Sequence, residues 1–268
     1  MRTLLIACLW ATACSAPPEP PAPRQFLPNP DTFGSRDRNY GQVDTSDGAV
    51  RVYAAQRGDE TDLMMVKRTA TGWSNPVIIP APRRETNTTP HFSRIDGRLY
   101  YSSDAPHPER PGRRDRNIWS GVLGENGKIS DLRPMPNAIN TGANEESPSF
   151  TDKGEFFFSS DHTRGIGGFD IYRAEETTTG WLVEPVPFNT QMADTHAFAT
   201  PDGRSVFFYA HLPDVIGIVD IFRADRTDEG WSDAVNLGET INSTLIDYAP
   251  AISQDGETFF FSRQGQMM

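Results

Sequence analysis

The second half of the chain repeats itself with a period of about 50 residues. Each copy carries an aromatic run, then an Asp-Ile-aromatic triplet, then a Gly-Trp pair. The first copy has Phe156–Phe158, Asp170–Tyr172 and Gly180–Trp181, and the second has Phe207–Tyr209, Asp220–Phe222 and Gly230–Trp231. A period of roughly 40–50 residues with several short strands per unit is typical of the blades of a β-propeller.

The same pattern continues outside these two units. A glycine turn between two short strands recurs at Gly48, Gly97, Gly154, Gly203 and Gly256. Trp73 takes the place of Trp181 and Trp231 in the first unit, and we expect these rings in the blade core. Runs of β-branched and aromatic residues predict four strands per unit. In the third unit these are Pro148–Thr151, Glu155–Ser159, Phe169–Arg173 and Trp181–Val186.

We therefore predict an all-β fold in which residues 25–268 form a β-propeller of five four-stranded blades. A six-bladed ring and an incomplete ring are the alternatives. The last unit is predicted to supply two strands only, because the chain ends at Met268 before an Asp-Ile-aromatic strand. Gln25–Leu27 is predicted to complete the fifth blade as its outer strand, since an open sheet edge invites association.

Residues 1–13 have the pattern of an export signal. Arg2 supplies the positive end, and Leu4–Ala13 is an apolar core too short to span a bilayer. The following Ala11–Cys14 resembles a bacterial lipobox, which makes Cys14 the predicted lipidation site. Leu5–Cys8 fits that pattern better but leaves only a few apolar residues before it. An ordinary signal peptide cut near Ala16 is the other alternative.

The segment after the signal is predicted to be a lipidated tether. Residues 14–24 are rich in Pro and Ala and should stay extended. Both cysteines lie in the leader region, so the folded domain is predicted to hold neither a disulfide nor a Cys-ligated metal. Ser15 follows the predicted lipidated residue, which resembles outer-membrane sorting. We expect a periplasm-facing lipoprotein of the cell envelope.

The charge of the chain restricts its partners. The formal net charge is −11 at pH 7, and one loop holds the only basic concentration. Nucleic acid and anionic membrane surfaces are therefore excluded as expected partners, and membrane contact is expected through the lipid anchor only. Cations, basic peptides and neutral glycans remain compatible with this charge.

Three segments carry a family resemblance: ESPSFTDKGEFFFSS followed by GGFDIYRA, then HAFATPDGRSVFF, then DYAPAISQDGETFFFS. They resemble the WD40-like (PD40) repeats of the translocation protein TolB and its periplasmic relatives, over residues 39–262 and most strongly over 144–262. The resemblance implies propeller blades and no particular activity, because such blades also cover the active site of prolyl oligopeptidase-like enzymes. The chain departs from TolB in lacking a separate α/β domain before the propeller.

The loops that lead into the first strand of each unit, the strand nearest the axis of a propeller, carry the same residue types at the same positions. An acid or amide stands three residues before the start of each strand, at Asn39, Asn87, Glu145, Asp194 and Asp247. Asn140, Asn189 and Asn242, each followed by Thr or Ser, precede three of them. Around one axis such oxygens suit Ca²⁺, so Glu145, Asp194 and Asp247 are candidate metal ligands and Asn39 and Asn87 candidate ligand-binding residues. Alternatively, these side chains cap turns.

A second group of candidates lies in the loops between the second and third strands, on the same face. Arg113 and Arg116 belong to the basic loop, and His162 and Arg164 to the equivalent loop of the next unit. Arg can bind a carboxylate or phosphate through two N–H groups. We assign these four residues to ligand binding. The alternative is a Pro-, Arg- and Gly-rich loop that is simply solvated.

The sequence gives little support to catalysis. It has no G-x-S-x-G nucleophile elbow, no H-E-x-x-H motif and no sialidase Asp box, so we assign no catalytic residue and no cofactor beyond a possible Ca²⁺. We expect a monomeric, non-enzymatic binding or scaffold module whose loop face takes an envelope protein segment or a glycan. The alternatives are a carbohydrate-active hydrolase with carboxylates on that face, and a propeller subunit completed by a partner chain.

Overall fold

The computed structural model describes residue 23 and residues 38–80, 85–213 and 215–268. All regular secondary structure in these ranges is β, and it forms five antiparallel sheets that are the five blades of a propeller, as the sequence predicts. No helix within the described ranges is long and apolar enough to cross a membrane.

Each blade is a meander of consecutive antiparallel strands that runs from the ring axis to the rim. The first blade holds β1 (Arg38–Asp44), β2 (Val50–Arg57), β3 (Glu60–Thr69), β4 (Gly72–Trp73) and β5 (Val77–Ile78). The second holds β6 (Asn87–Phe92), β7 (Leu99–Ser103), β8 (Asn117–Leu123) and β9 (Ile129–Pro134). The third holds β10 (Glu145–Phe150), β11 (Phe156–Ser160), β12 (Asp170–Thr177) and β13 (Gly180–Pro185).

The fourth blade holds β14 (Asp194–Ala199), β15 (Ser205–Ala210), β16 (Asp220–Thr227), β17 (Gly230–Trp231) and β18 (Val235–Asn236). The fifth holds β19 (Asp247–Ile252), β20 (Phe259–Arg263) and β21 (Gln266–Met267). In the first and fourth blades the outer strand is broken into two short pieces that both pair with the third strand. Each of these two blades therefore counts as four-stranded.

The turns and third strands follow the sequence prediction. The five recurrent turn glycines all have positive φ, from 65° at Gly48 to 88° at Gly154, a backbone region that glycine adopts without steric cost. The Asp-Ile-aromatic triplets begin β12 and β16. The expectation for Trp181 and Trp231 is confirmed in part: both rings pack against core clusters at equivalent places in their hairpins, but they are half-buried instead of buried.

The apolar core lies mainly between neighbouring blades. Five clusters of buried side chains each contain residues of two adjacent blades. Representative pairs are Leu63 with Leu99, Ile118 with Phe156, Phe157 with Phe208, Phe198 with Phe260, and Tyr53 with Met267. Burial of one such side chain contributes about 1.5–3 kcal/mol, so these clusters hold the ring closed.

Strand β21 supplies Met267, which packs with Tyr53 between the fifth blade and the first. The prediction of only two strands in the last unit is wrong, because Gln264 and Gly265, with φ of 52° and 81°, form a tight turn that brings β21 back onto β20. The backbone N–H of Asn39 donates to the carbonyl of Gly265 at 2.7 Å and joins the fifth blade to the first. The predicted outer strand Gln25–Leu27 lies outside the described residues.

All five innermost strands share one irregularity. The pairing of each with its neighbour shifts register at a β-bulge. The bulges contain a residue with φ between 47° and 64°, at Gly41, Thr89, Ser147, His196 and Ala249. Left-handed backbone costs an ordinary residue roughly 1–2 kcal/mol, so its recurrence in four non-glycine residues marks a conformation that the ring imposes.

Candidate functional site

A cavity of about 590 Å³ opens at one end of the ring axis, on the face formed by the loops that enter the innermost strands. We call it the cup. Each innermost strand contributes the residue that precedes its bulge, and these residues are Tyr40, Thr88, Glu146, Thr195 and Tyr248. The five strands thus present one side chain each to a shared space, which makes the cup the candidate ligand site.

One wall of the cup holds an ion pair between a buried carboxylate and a half-buried guanidinium. Glu146 is 7% exposed, and Arg116 Nη1 lies 3.0 Å from its Oε2. Thr195 Oγ1 donates to Glu146 Oε1 over 3.4 Å. Burial raises the pKa of Glu146, and the Arg116 guanidinium opposes that rise. Arg116, a ligand-binding candidate from the sequence, therefore lies in the cup.

The opposite wall is aromatic. The His196 ring lies 4.9 Å from that of Tyr209 and 6.1 Å from that of Tyr248. Burial lowers the pKa of His196 to about 3, which leaves the ring neutral at physiological pH. Tyr40 Oη accepts a hydrogen bond of 2.8 Å from Thr88 Oγ1. The wall offers ring faces together with hydroxyl groups, and it suits a ligand that is apolar on one side and polar on the other.

The cup has a floor. The next cavity along the axis has a volume of about 30 Å³ and is lined by the bulge residues and the residues that follow them, among them Pro90, Pro148 and Pro250. This space holds about one or two water molecules. His91 closes it further, since its Nε2 accepts the N–H of Phe150 at 3.0 Å. The axis narrows at this cavity, so among the described residues the loop face offers the wider entrance to the cup.

The predicted acidic residues lie one position away from the cup. Glu145, Asp194 and Asp247 are 0% exposed, and none lines the cup. Each accepts a hydrogen bond from the hydroxyl four residues earlier: Thr141 to Glu145 at 2.6 Å, Thr190 to Asp194 at 2.9 Å, and Ser243 to Asp247 at 2.7 Å. These are the bonds that the turn-capping interpretation predicts. Side chains alternate along a strand, so the residue directly before each cup residue points into its own loop instead of the cup.

The asparagines that precede the three acids in the sequence also bind main-chain groups. The Oδ1 atoms of Asn140, Asn189 and Asn242 accept the N–H groups of Ile118, Ile171 and Ile221 at 2.8, 2.9 and 2.8 Å. Each Nδ2 donates back to the carbonyl of the same isoleucine. The repeated Asn-Thr/Ser-x-x-x-acid pattern therefore fixes every such loop to the third strand of the blade before it.

The three acids differ in how well they are satisfied. Arg263 Nε donates to Asp247 Oδ1 at 2.7 Å, whereas Glu145 Oε2 and Asp194 Oδ1 have no hydrogen-bond partner among the described residues. Burial raises the pKa of Glu145 to about 7 and also raises that of Asp194. No three His, Cys, Asp or Glu side chains of the described ranges lie close enough together to hold a metal. Calcium binding by these acids stays a prediction.

The two candidate amides also lie outside the cup. Asn87 is 5% exposed, and its Nδ2 donates to the carbonyl of Glu85 at 3.4 Å. Asn39 is half-buried beside the junction of the first and fifth blades. A ligand-binding role for either residue stays a prediction.

The remaining basic candidates lie beside the cup. Arg113 and His162 line a cleft of about 710 Å³ between the basic loop and the next blade. The Arg113 guanidinium is bonded to the carbonyl of Gly142. Arg164 is exposed, and its N–H donates to His162 Nδ1 at 3.1 Å. These three residues share a surface with each other and do not enter the cup.

Sequence reasoning missed most of the cup. Tyr40, Glu146 and Tyr248 each stand directly after a residue of the repeated acid and amide position. The missing signal was the two-residue period of a strand, since the acids and the cup residues cannot face the same side. Tyr209 reaches the same wall from β15, where it pairs with Thr195.

No protein-family model matches the chain, and no curated protein is similar to it in sequence. Among solved structures it is similar to TolB from Acinetobacter baumannii, with a TM-score of 0.57 and 19% identity over 85% of this chain. The chain spans 49% of the length of that protein. A putative TolB from Agrobacterium tumefaciens gives a TM-score of 0.51 and 16% identity, over 83% of this chain and 73% of that one.

The structure also resembles that of a thermostable family-43 glycoside hydrolase, with a TM-score of 0.57 and 11% identity over 90% of both chains. At these identities the three similarities establish a shared TolB-like propeller fold. They assign neither a ligand nor a reaction to this chain.

Proposed function

We propose that the protein is a non-enzymatic binding module of the cell envelope and that the cup holds its ligand. One observation carries the proposal: each of the five innermost strands contributes a side chain to a single cavity that opens to solvent on the loop face and narrows below. Concave cavities with apolar walls and a few convergent polar groups are where proteins bind ligands.

The cup's chemistry favours an amphipathic ligand of the envelope, either an extended protein segment or a glycan. Tyrosine rings give contact area at little entropic cost, while Thr88, Thr195 and the ion pair of Glu146 with Arg116 supply polar partners. Similarity in fold to TolB proteins supports an envelope setting. Anchoring through lipid on Cys14 belongs to the same proposal.

Binding to two envelope preparations tests the proposal. The purified protein is sedimented with peptidoglycan sacculi and, separately, captured on solubilised envelope proteins. We expect retention by one preparation, lost in Tyr248→Ala and Arg116→Ala and kept in Thr178→Ala, which alters an exposed residue of the β12–β13 turn at the rim. Equal retention of the cup variants and the control would contradict the proposal.

The anchor has its own test. Cys14→Ala should move the protein from the membrane to the soluble periplasmic fraction, because lipidation supplies the predicted membrane attachment. An intact mass with an unmodified N terminus in the wild type would contradict the assignment.

A carbohydrate-active hydrolase is the second candidate, and Glu146 favours it. Its pKa is raised by burial, which is the property of a general acid in glycoside hydrolysis, and the fold is shared with a family-43 glycoside hydrolase. Asp59 lines the same cavity and is the second carboxylate such a reaction needs. Turnover of a glycoside by the wild type and its loss in Glu146→Gln would establish this function, and absence of turnover across a glycoside panel would exclude it for the sugars tested.

A further inference from the structure

The rim tryptophans of two blades are covered by an arginine of the same hairpin. In the first blade, Arg68 pairs with Trp73 across β3 and β4, and its guanidinium lies 4.6 Å from the ring centroid. In the fourth blade, Arg226 pairs with Trp231 across β16 and β17 at 4.5 Å. A guanidinium over an indole face is a favourable cation–π contact.

The third blade lacks this cover. Trp181 occupies the same hairpin position, but the residue that pairs with it across β12 and β13 is Glu176. No cation lies over the Trp181 ring among the described residues, where its ring contact is an edge-to-face one with Phe156 at 6.0 Å. The third blade therefore presents an indole face next to a carboxylate, at the place where its neighbours hold an arginine.

A cavity lies at this place. Its volume is about 660 Å³, and it lies between the second and third blades, outside the cup. Trp181, Tyr100 and Phe150 form its aromatic lining, and Glu176 stands at its side. The blade boundary thus has room for a side chain that the described residues do not supply.

The neighbouring charged residues pair with one another and leave the Glu176 carboxylate free to bind a ligand cation. Glu155 accepts from both Arg173 and Arg226 at 2.7 Å, and Arg173 also binds Glu175. Glu176 is exposed and has no ion pair within the described part of the chain.

Three other cations lie in or next to the cavity wall, and none stacks on Trp181 within the described residues. Arg98 is bound to Asp131 at 2.6 Å. Lys153 and Arg133 line the cavity without stacking on Trp181.

We infer that this cavity is a second binding site, which takes an arginine or lysine side chain from an extended segment of a partner protein. The guanidinium would stack on Trp181 and pair with Glu176, as Arg226 stacks on Trp231 and pairs with Glu155 inside the protein. Charge complementarity selects this occupant, because a guanidinium or ammonium group interacts favourably with the indole face and with the carboxylate at once, whereas an acidic group is repelled by Glu176. The net charge of −11 also attracts a basic segment.

Fluorine NMR of the full chain labelled with 5-fluorotryptophan tests the inference. The Trp181 resonance is assigned by its absence in Trp181→Phe. The probe is acetyl-arginine amide, and acetyl-citrulline amide is the uncharged control of the same shape. We expect a saturable shift of the Trp181 resonance with the arginine compound only.

Three variants locate the effect. Glu176→Gln should weaken the arginine response by up to about fivefold, the factor for loss of one exposed ion pair. Glu176→Arg recreates the cover seen in the other blades, so it should move the Trp181 resonance without probe and abolish the response. Glu229→Gln removes an equal charge beside the covered Trp231 and should change nothing. The two residues changed in these variants, Glu176 and Glu229, are exposed, so the fold should persist.

Several results would overturn the inference. An equal response to citrulline would show ordinary apolar contact instead of cation recognition. An unchanged response in Glu176→Arg would place the probe elsewhere. A wild-type Trp181 resonance that ignores the probe would mean that the site has no affinity for a cation or is already filled by a basic residue of the chain itself.

Discussion

Glu145→Gln should stabilise the protein at alkaline pH. Burial raises the pKa of Glu145 from 4.5 to about 7, against the opposing hydrogen bonds from Thr141 and Ser160. The folded state thus binds a proton that the unfolded state releases between these two values, so this group's contribution to stability is greatest below pH 4.5 and is lost as the pH rises through 7. Glutamine keeps the shape and cannot ionise.

The size of the change in unfolding free energy follows from the shift in the pKa of Glu145. One pKa unit corresponds to about 1.4 kcal/mol, so the advantage of the variant should grow by up to about 3 kcal/mol between acid and alkaline pH. The amide of glutamine adds an offset of its own, through its changed hydrogen bonds with Thr141, but that offset does not depend on pH. The change in the difference between the two proteins is therefore the quantity to measure.

Urea unfolding at pH 4.5 and pH 8.5, with a metal chelator present, gives this quantity. The free energy of unfolding of Glu145→Gln relative to wild type should rise with pH and level off above pH 7. Asp247→Asn is the matched control, because Asp247 takes the equivalent position but its carboxylate is paired with Arg263, so its loss should be destabilising. A constant difference for Glu145→Gln across the pH range would show that the pKa of Glu145 is not raised in the folded protein.

Three further predictions concern the loops, the rim and the ring. The turn-capping role of the acids predicts no calcium-dependent rise in Tm, and a rise that disappears in the triple variant Glu145→Gln, Asp194→Asn, Asp247→Asn would instead establish a calcium site. Trp231→Ala should cost about 2–3 kcal/mol in urea unfolding, below the value for a fully buried ring, and Trp181→Ala about 1 kcal/mol less because it has no arginine cover; equal losses would contradict this. Removal of residues 24–33 should lower Tm if they complete the fifth blade, and an unchanged Tm in a monomer would mean that they are tether.

The architecture could be predicted from the sequence because short local patterns mark the strands and turns of each blade. The Asp-Ile-aromatic triplets and the turn glycines mark strand starts and reversals, and their spacing gives the blades. The short β21 escaped, since a strand of two residues gives no periodic pattern. In the sequence it is marked by the Gln264–Gly265 pair. In the structure this pair forms a turn in which both residues have positive φ.

The candidate site was less accessible to sequence reasoning. The repeat points to the loop face, where the cup opens, but it singled out Glu145, Asp194 and Asp247, whose carboxylates bind their own loops. The cup residues vary from blade to blade, so Glu146 and Tyr248 carry no repeated signal. Their position depends on which side of the strand faces the axis, and the five bulges set that orientation only in the folded ring.

Site-specific photo-crosslinking in cells tests the central claim, that the cup holds an envelope ligand. A benzophenone amino acid replaces Thr195 in the cup in one strain and the rim residue Thr178 in another. We expect a discrete adduct, identified by mass as an envelope protein or a glycan, from position 195 alone, and its loss when Arg116→Ala is added. Adducts of equal yield from both positions, or from the rim alone, would contradict it.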